Sequence, residues 1–142
     1  MNKTEIEVIR ETWALVVPIA DAAAQLFYQR LFEIDPGTKL LFAETDIARQ
    51  NEKLISTLSL VVEKADQLDT IIPVLQELGR NHVRYGVEAR HYESVGSALL
   101  WTLEQGLGDR FTDQARAAWT VAYALVSGPM RQAAVDLERP AA

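Results

Sequence analysis

Three polar side chains interrupt apolar helical faces in this sequence, and together they could bind a metal-containing cofactor and a small ligand. His82 lies seven residues after Leu75 and four after Leu78, which places it on the inward face of a helix. Tyr28 and Gln50 have the same inward spacing on two other helical segments. An imidazole can bond to iron, while a phenol and an amide can donate hydrogen bonds to a ligand on the opposite side.

Each of the three residues also has an ordinary structural interpretation. A single histidine on an apolar face is more often a hydrogen-bonded core residue than a ligand, since leaving it unsatisfied would cost roughly 1–3 kcal/mol. A buried tyrosine is usually a large apolar side chain whose hydroxyl reaches a carbonyl, and Gln50 could reach the surface at a helix rim. Their occurrence on three separate helices favours a shared cavity, but it does not name the metal or the cofactor.

His91 is the competing ligand candidate. It follows Gly86, next to Tyr92, in what we interpret as a loop. Its side chain would have to leave the helix surface to reach the same cavity, so we expect a solvent-exposed imidazole at this position.

The elements that carry these residues are predicted to be helices, because no segment alternates apolar and polar residues as a strand would. Thr4 and Glu7 have the spacing of a capping box at the start of the first helix, and Pro18 marks its end. The turn at residues 35–37 separates the second helix from a short segment that ends at Phe42. The predicted inward faces also include Val17, Ile47, Val74 and Tyr85.

Helix boundaries in the second half of the chain are marked by proline, glycine and threonine. Pro73 falls in the first turn of one helix and Gly86 at its C-terminal cap, while Thr112 caps the last helix. About six substantial helices of unequal length predict an all-α fold with irregular packing rather than a regular four-helix bundle.

Composition limits the kinds of protein that this chain can be. Its 142 residues, 49% of them hydrophobic, are enough for one domain spanning residues 1–142. The absence of cysteine excludes disulfides, thiolate metal sites and cysteine nucleophiles. A net charge of −6 argues against nucleic acid or an anionic membrane as the main partner. Without a signal-peptide pattern or a long apolar run, we expect a cytoplasmic protein.

The sequence resembles single-domain bacterial globins, which are related to the haem domain of flavohaemoglobins but lack their reductase domain. The resemblance covers nearly the whole chain, in the segments AAQLFYQRLFEIDP, KLLF, ARQNEKLISTL, LGRNHVRYGVEARHYESVGSALLWTL and FTDQARAAWTVAYALV. It implies a globin fold of about six to eight helices around a pocket for haem b. No CxxCH motif is present, so covalent c-type attachment is not expected.

On the distal side, the resemblance assigns ligand stabilisation to Tyr28 and Gln50. Bound oxygen would accept a hydrogen bond from each, worth roughly 1.5–3 kcal/mol, which predicts slow oxygen release. Phe42 corresponds to the phenylalanine that packs on the haem, and Leu54 to a residue that roofs the pocket. Lys53 stands where a basic residue can reach a haem propionate, although a solvated surface lysine is an equal interpretation.

On the proximal side, the resemblance makes His82 the ligand of the haem iron and Tyr92 a hydrogen-bonding residue near its imidazole. Flavohaemoglobins add a glutamate on the last helix, and that position falls at about Ala134 here. Unless Asp136 or Glu138 substitutes for it, this relay is incomplete. A weaker electron push would make the protein less peroxidase-like and closer to a reversible oxygen binder.

The expected function is reversible binding of oxygen, NO and CO, in NO scavenging or dioxygenation or in oxygen binding. NO dioxygenation would require a separate reductase, because the GxG-like residues 106–108 follow no predicted strand.

A gas-sensing globin is the alternative, although residues 131–142 are too short for an output domain or a coiled-coil tail. A globin fold that has lost haem is a third, which the presence of His82, Phe42, Tyr28 and Gln50 disfavours. A hydrolase is disfavoured because no nucleophile–base pair can be identified.

Overall fold

The computed structural model of the chain describes residues 1–43 and 45–138, and they form an all-α architecture as predicted. None of the helices in these ranges is long and apolar enough to cross a membrane. The helices are α1 (Lys3–Val16), α2 (Ala20–Ile34), α3 (Ile47–Glu63), α4 (Ile72–Arg84), α5 (Ala89–Leu107) and α6 (Asp113–Glu138). Short 3₁₀ helices lie between them at Val17–Ile19, Pro36–Phe42, Leu68–Ile71 and Gly108–Arg110.

The first helix is capped two residues earlier than predicted. The Asn2 side chain accepts a hydrogen bond from the Glu5 backbone N–H at 2.8 Å, and the Glu5 carboxylate accepts one from the Asn2 N–H at 2.8 Å. Thr4 therefore lies inside the helix, and its predicted capping box with Glu7 is wrong. Asn2 satisfies the same free N–H groups at the helix start that Thr4 could have satisfied.

The predicted boundaries at proline, glycine and threonine are confirmed. Pro18 lies in the 3₁₀ helix that follows α1, and Pro73 lies in the first turn of α4. Gly86 follows the end of α4 with a φ of 91°, a left-handed conformation that favours glycine. Thr112 caps the start of α6, where its hydroxyl accepts a hydrogen bond from the Ala115 N–H at 3.1 Å.

The core forms where α1 crosses α6 and where α2 packs on α5. Trp119 is almost fully buried, and its indole N–H donates to the Thr12 hydroxyl at 2.8 Å. The rings of Trp13 and Trp119 lie 6.1 Å apart. Because buried indole N–H groups need an acceptor, this bond fixes how α1 and α6 meet.

Four residues predicted to face inward are exposed instead. They are Val17, Ile47, Val74 and Tyr85, with Val17 53% and Tyr85 67% exposed. Val17 lies beyond the end of α1, Ile47 and Val74 lie in the first turns of their helices, and Tyr85 caps the end of α4. Residues at helix ends can continue the apolar periodicity without having a neighbouring element to pack against.

A close approach between two helix backbones joins α4 to α6 at Gly79. A Cβ atom on Gly79 would overlap the carbonyl oxygen of Met130 and lie 2.7 Å from its Cα. Only a residue without a side chain allows the two backbones to come so near. Since α4 carries His82, this contact also fixes the position of the imidazole relative to α6.

We expect Gly79→Ala to destabilise the protein by about 1–3 kcal/mol, because the added methyl group forces the two helix backbones apart. The free energy of unfolding in urea measures this change. Gly106→Ala is the matched control, on α5, since a Cβ there meets only the flexible end of the exposed Ile19 side chain, at 3.3 Å. Replacing an exposed helical glycine by alanine should leave the free energy of unfolding unchanged or raise it by up to about 1 kcal/mol. Equal effects of the two substitutions would contradict the close approach at Gly79.

Candidate functional site

His82 lies in the last turn of α4, half-buried, and its ring is held by its own helix. The Nδ1 atom is 2.5 Å from the carbonyl oxygen of Leu78, one turn earlier. A carbonyl can only accept, so Nδ1 carries the proton and Nε2 keeps its lone pair in the neutral ring. Burial lowers the pKa of His82, against the opposing effect of the Leu78 bond. The result is a neutral imidazole with Nε2 able to bind a metal.

Tyr28 lies at the centre of an aromatic cluster between α2 and the 3₁₀ helix Pro36–Phe42. Its side chain is only 5% exposed, and its ring meets Phe42 edge-on at 5.3 Å and Phe27 at 5.0 Å. Phe32 completes the cluster, 5.7 Å from Phe42. The structure therefore brings together two of the residues that the resemblance places around the haem, Tyr28 and Phe42.

Gln50, in the first turn of α3, adds a polar group to this cluster. Burial raises the pKa of the Tyr28 phenol, and the Gln50 side chain, acting as its hydrogen-bond partner, partly lowers it. The phenol therefore keeps its proton at neutral pH and can donate it in a hydrogen bond. Leu54, one turn along α3, is half-buried against the core, whereas Lys53 is exposed and not part of the cluster.

The helices that carry His82 and Gln50 are held by different neighbours. Helix α3 packs on α1 and α2, α4 packs mainly on α6, and α3 and α4 make little direct contact with each other. At one edge the two sides meet, because a Cβ on Gly86 would lie 3.3 Å from the Leu41 side chain. Helices α3 and α4 therefore do not pack face to face.

Tyr92, the predicted partner of the proximal imidazole, has a buried hydroxyl with no hydrogen-bond partner among the described residues. Ala134 is half-buried on α6 and has no polar group to offer. Asp136 is exposed and accepts a hydrogen bond from Gln132 at 3.0 Å, and the side chain of Glu138 lies outside the described residues. An orphaned buried hydroxyl is costly, so the Tyr92 hydroxyl is a candidate hydrogen-bonding group for a bound molecule.

His91 is buried, at 4% exposure, and the expectation of a solvent-exposed imidazole in a loop is wrong. It lies in the first turn of α5, where its Nδ1 accepts a hydrogen bond from the Glu88 N–H at 2.8 Å. The helix begins at Ala89, earlier than the sequence indicated, because this capping bond closes its first turn. The side chain of His91 therefore packs inward as part of a helix cap.

Sequence reasoning missed a second polar contact that holds the site together. Asp35, at the end of α2, accepts hydrogen bonds from the Arg90 guanidinium at 3.1 and 2.9 Å and from the Ser94 hydroxyl at 3.0 Å. Burial raises the pKa of Asp35, but these bonds outweigh it and hold the pKa below its usual value. The sequence indicated only a turn at Asp35, since its partners lie 55 and 59 residues away. The contact ties the segment bearing Phe42 to the start of α5.

Comparison with known proteins extends these observations to a family. The family model described as Globin matches residues 25–130. The flavohemoprotein of Vibrio cholerae serotype O1 is 30% identical over 143 residues, which cover 98% of this chain and 36% of that protein. The flavohemoprotein of Bacillus subtilis is 30% identical over 128 residues, with 89% and 32% covered. This chain spans about a third of the length of these relatives. It belongs to the globin family.

Proposed function

We propose that this globin, as one domain spanning residues 1–142, binds a single haem b and takes up diatomic gases at its iron, with His82 as the axial ligand. The name of its relatives, flavohemoprotein, supports a haem cofactor for the part of their length that this chain matches. When bound, haem supplies an iron that takes up oxygen, NO or CO. The protein side chains decide how the cofactor is held and how long a ligand stays.

The state of His82 is the observation that carries the proposal. Iron is bound by an imidazole nitrogen that has a free lone pair, and the second nitrogen is commonly fixed by a hydrogen bond to a carbonyl or carboxylate. In this chain Leu78 supplies that acceptor, and burial favours the neutral ring. The Nε2 atom of His82 makes no hydrogen bond among the described contacts, so its lone pair is available to a metal.

The opposite side would be formed by Tyr28, Gln50, Phe42 and Leu54. The Tyr28 hydroxyl and the Gln50 amide would each donate a hydrogen bond to a ligand whose outer atom carries negative charge. Phe42 and Leu54 would keep water away from the same region. Lys53, exposed on α3, could pair with a propionate carboxylate at the solvent edge.

On the side of His82, only a weak electron push toward the iron is expected. The Nδ1 proton goes to a neutral carbonyl, not to a carboxylate, and Ala134 stands where a relay glutamate would be required. Tyr92 alone cannot make the imidazole anionic, since its own hydroxyl has no acidic partner in the described part of the chain. We therefore infer reversible ligand binding rather than O–O bond cleavage.

Slow oxygen release would suit NO scavenging by a cytoplasmic protein, because oxygen must stay in place until NO arrives. NO dioxygenation by a haem would need an electron donor in each cycle. We propose a reductase outside residues 1–142 as the source of these electrons, since no nucleotide-binding glycine motif follows a strand among the described residues.

We expect His82→Ala to lose the haem or to bind it much more weakly, because the single axial bond from the protein is removed. The measurement is the visible spectrum of the dithionite-reduced protein with and without CO. The parent protein should show a Soret band that sharpens and shifts with CO, and the variant should not.

The matched control is His91→Gln, which removes the other histidine while keeping an acceptor for the Glu88 N–H at a capping-box position. It should keep the parent spectrum. A parent protein that takes up no haem on reconstitution would contradict the proposal, as would a His82→Ala spectrum that matches the parent.

We expect Tyr28→Phe and Gln50→Leu each to speed oxygen dissociation about tenfold or more, since each removes a donor worth roughly 1.5–3 kcal/mol to a partly charged ligand. Stopped-flow displacement of oxygen by CO measures the rate. CO dissociation should change far less, because CO carries little negative charge.

Glu52→Gln serves as the control on the same helix, since this side chain is exposed and lies outside the aromatic cluster. Its oxygen dissociation rate should equal that of the parent. If Tyr28→Phe and Gln50→Leu also release oxygen at the parent rate, these residues do not stabilise the ligand.

A further inference from the structure

Arg131 is a half-buried cation without an acidic partner. Its guanidinium lies 5.2 Å from the ring centre of Tyr92 and donates one hydrogen bond, to the Ala89 carbonyl at 3.1 Å. No carboxylate in the described part of the chain forms an ion pair with it. A guanidinium has five N–H donors in a planar fork, and the described hydrogen bonds of Arg131 to the protein use one of them.

Two other arginines lie over aromatic rings, and both differ from Arg131 in this respect. Arg30 lies 5.0 Å from the ring of Trp101 and pairs with Glu33 at 3.3 Å. Arg116 lies 5.1 Å from the ring of Phe111, and its partner is a carboxylate of α5 at 2.8 Å. An arginine over an aromatic ring in this fold can therefore also pair with a carboxylate. The ring contact with Tyr92 does not explain why Arg131 has no acidic partner among the described residues.

Arg131 also lines an open cleft of about 340 Å³ between α5 and α6, which holds neither His82 nor the aromatic cluster around Tyr28. The cleft is walled by the phenol rings of Tyr92 and Tyr123, with the buried Ser127 beside them. Its size lies at the lower end of the range for small-molecule pockets.

The shape of this cleft depends on Gly96 of α5. A Cβ atom on Gly96 would come within 2.9 Å of the Tyr123 ring, so the ring can rest against the bare backbone of α5. The Tyr123 hydroxyl donates to the Tyr92 carbonyl at 2.6 Å, which fixes the ring in place. Burial raises the pKa of the Tyr92 and Tyr123 phenols, whereas the positive charge of Arg131 lowers both. Arg131 therefore interacts electrostatically with both rings that wall the cleft.

We propose that the cleft between α5 and α6 binds a small aromatic monocarboxylate, whose carboxylate pairs with Arg131 and whose ring lies against Tyr123. A planar carboxylate matches the guanidinium fork, which can hold it through two parallel hydrogen bonds. Offset or edge-on contact with a phenol ring suits an aromatic body. This ligand supplies the acidic partner that Arg30 and Arg116 find within the chain.

Glu93 limits the ligand to a single negative charge. It is exposed on α5 and lines the same cleft, so its carboxylate opposes the binding of any anion there. One cation and one anion at the site can accommodate a monocarboxylate, whereas a dicarboxylate or a phosphate would place excess negative charge beside Glu93.

The experiment uses benzoate as the probe and the full chain, reduced and saturated with CO so that benzoate cannot reach an iron. Amide chemical shifts in ¹H–¹⁵N spectra locate the binding and give its affinity. We expect saturable shifts at residues of the cleft, such as Gly96 and Ala124. Benzyl alcohol, which has the ring but no charge, should bind much more weakly.

Four variants test the assignment. Arg131→Gln should weaken benzoate binding about tenfold or more, because it removes the charged partner. Ala124→Phe should weaken it similarly by filling the cleft at an exposed position while leaving the charge in place. Glu93→Gln should tighten it. Arg116→Gln is the matched control on α6, a ring-stacked arginine outside the cleft, and should leave affinity unchanged.

The proposal would be overturned by shifts confined to residues outside the cleft or by an affinity that Arg131→Gln does not change. It would equally be overturned if no shift occurred at about 10 mM benzoate, since millimolar affinity is the weakest expected for a built site. Circular dichroism of Arg131→Gln and Ala124→Phe separates lost binding from lost folding, and a loss shared by both folded variants supports the cleft.

Discussion

The hydrogen bond between Nδ1 of His82 and the carbonyl of Leu78 determines what the imidazole of this globin can do. It fixes the tautomer, so Nε2 is left with a lone pair, and it fixes the ring relative to its own helix. Because the acceptor is a neutral carbonyl, the imidazole stays neutral and donates electron density only weakly. The same bond therefore leaves His82 able to bind a metal through Nε2, as the proposed function requires.

Contacts elsewhere in the fold fix α4, and with it this imidazole, relative to α6 and to the 3₁₀ helix Pro36–Phe42. Gly79 lets α4 lie directly on α6, and Gly86 turns the chain so that the end of α4 meets the segment containing Leu41. On the other side, Asp35 binds Arg90 and so ties the corner before Phe42 to α5. Each contact is made by a residue whose small size or charge allows a close approach, and together they fix α4 relative to α6 and the corner before Phe42 relative to α5.

Sequence patterns predicted the helices, their breaks at Pro18, Pro73 and Gly86, and the inward positions of Tyr28 and His82, since these depend on local periodicity and backbone preference. They failed at the start of α1, where either Thr4 or Asn2 could cap the helix. They also failed where distant contacts decide the outcome. The burial of His91, the Asp35–Arg90 pair and the cleft beside Arg131 all depend on which helices meet, and no single segment contains that information.

The most direct test of a neutral His82 as the axial ligand is the iron–imidazole stretching band in the resonance Raman spectrum of the reduced, ligand-free protein. We expect a band that shifts when histidine is labelled with ¹⁵N, and that moves to higher frequency in Ala134→Glu, which places a carboxylate at the position where the resemblance puts the relay glutamate. A spectrum without a ¹⁵N-sensitive band would contradict ligation by His82. A band that Ala134→Glu leaves unmoved would contradict the explanation of the weak electron push.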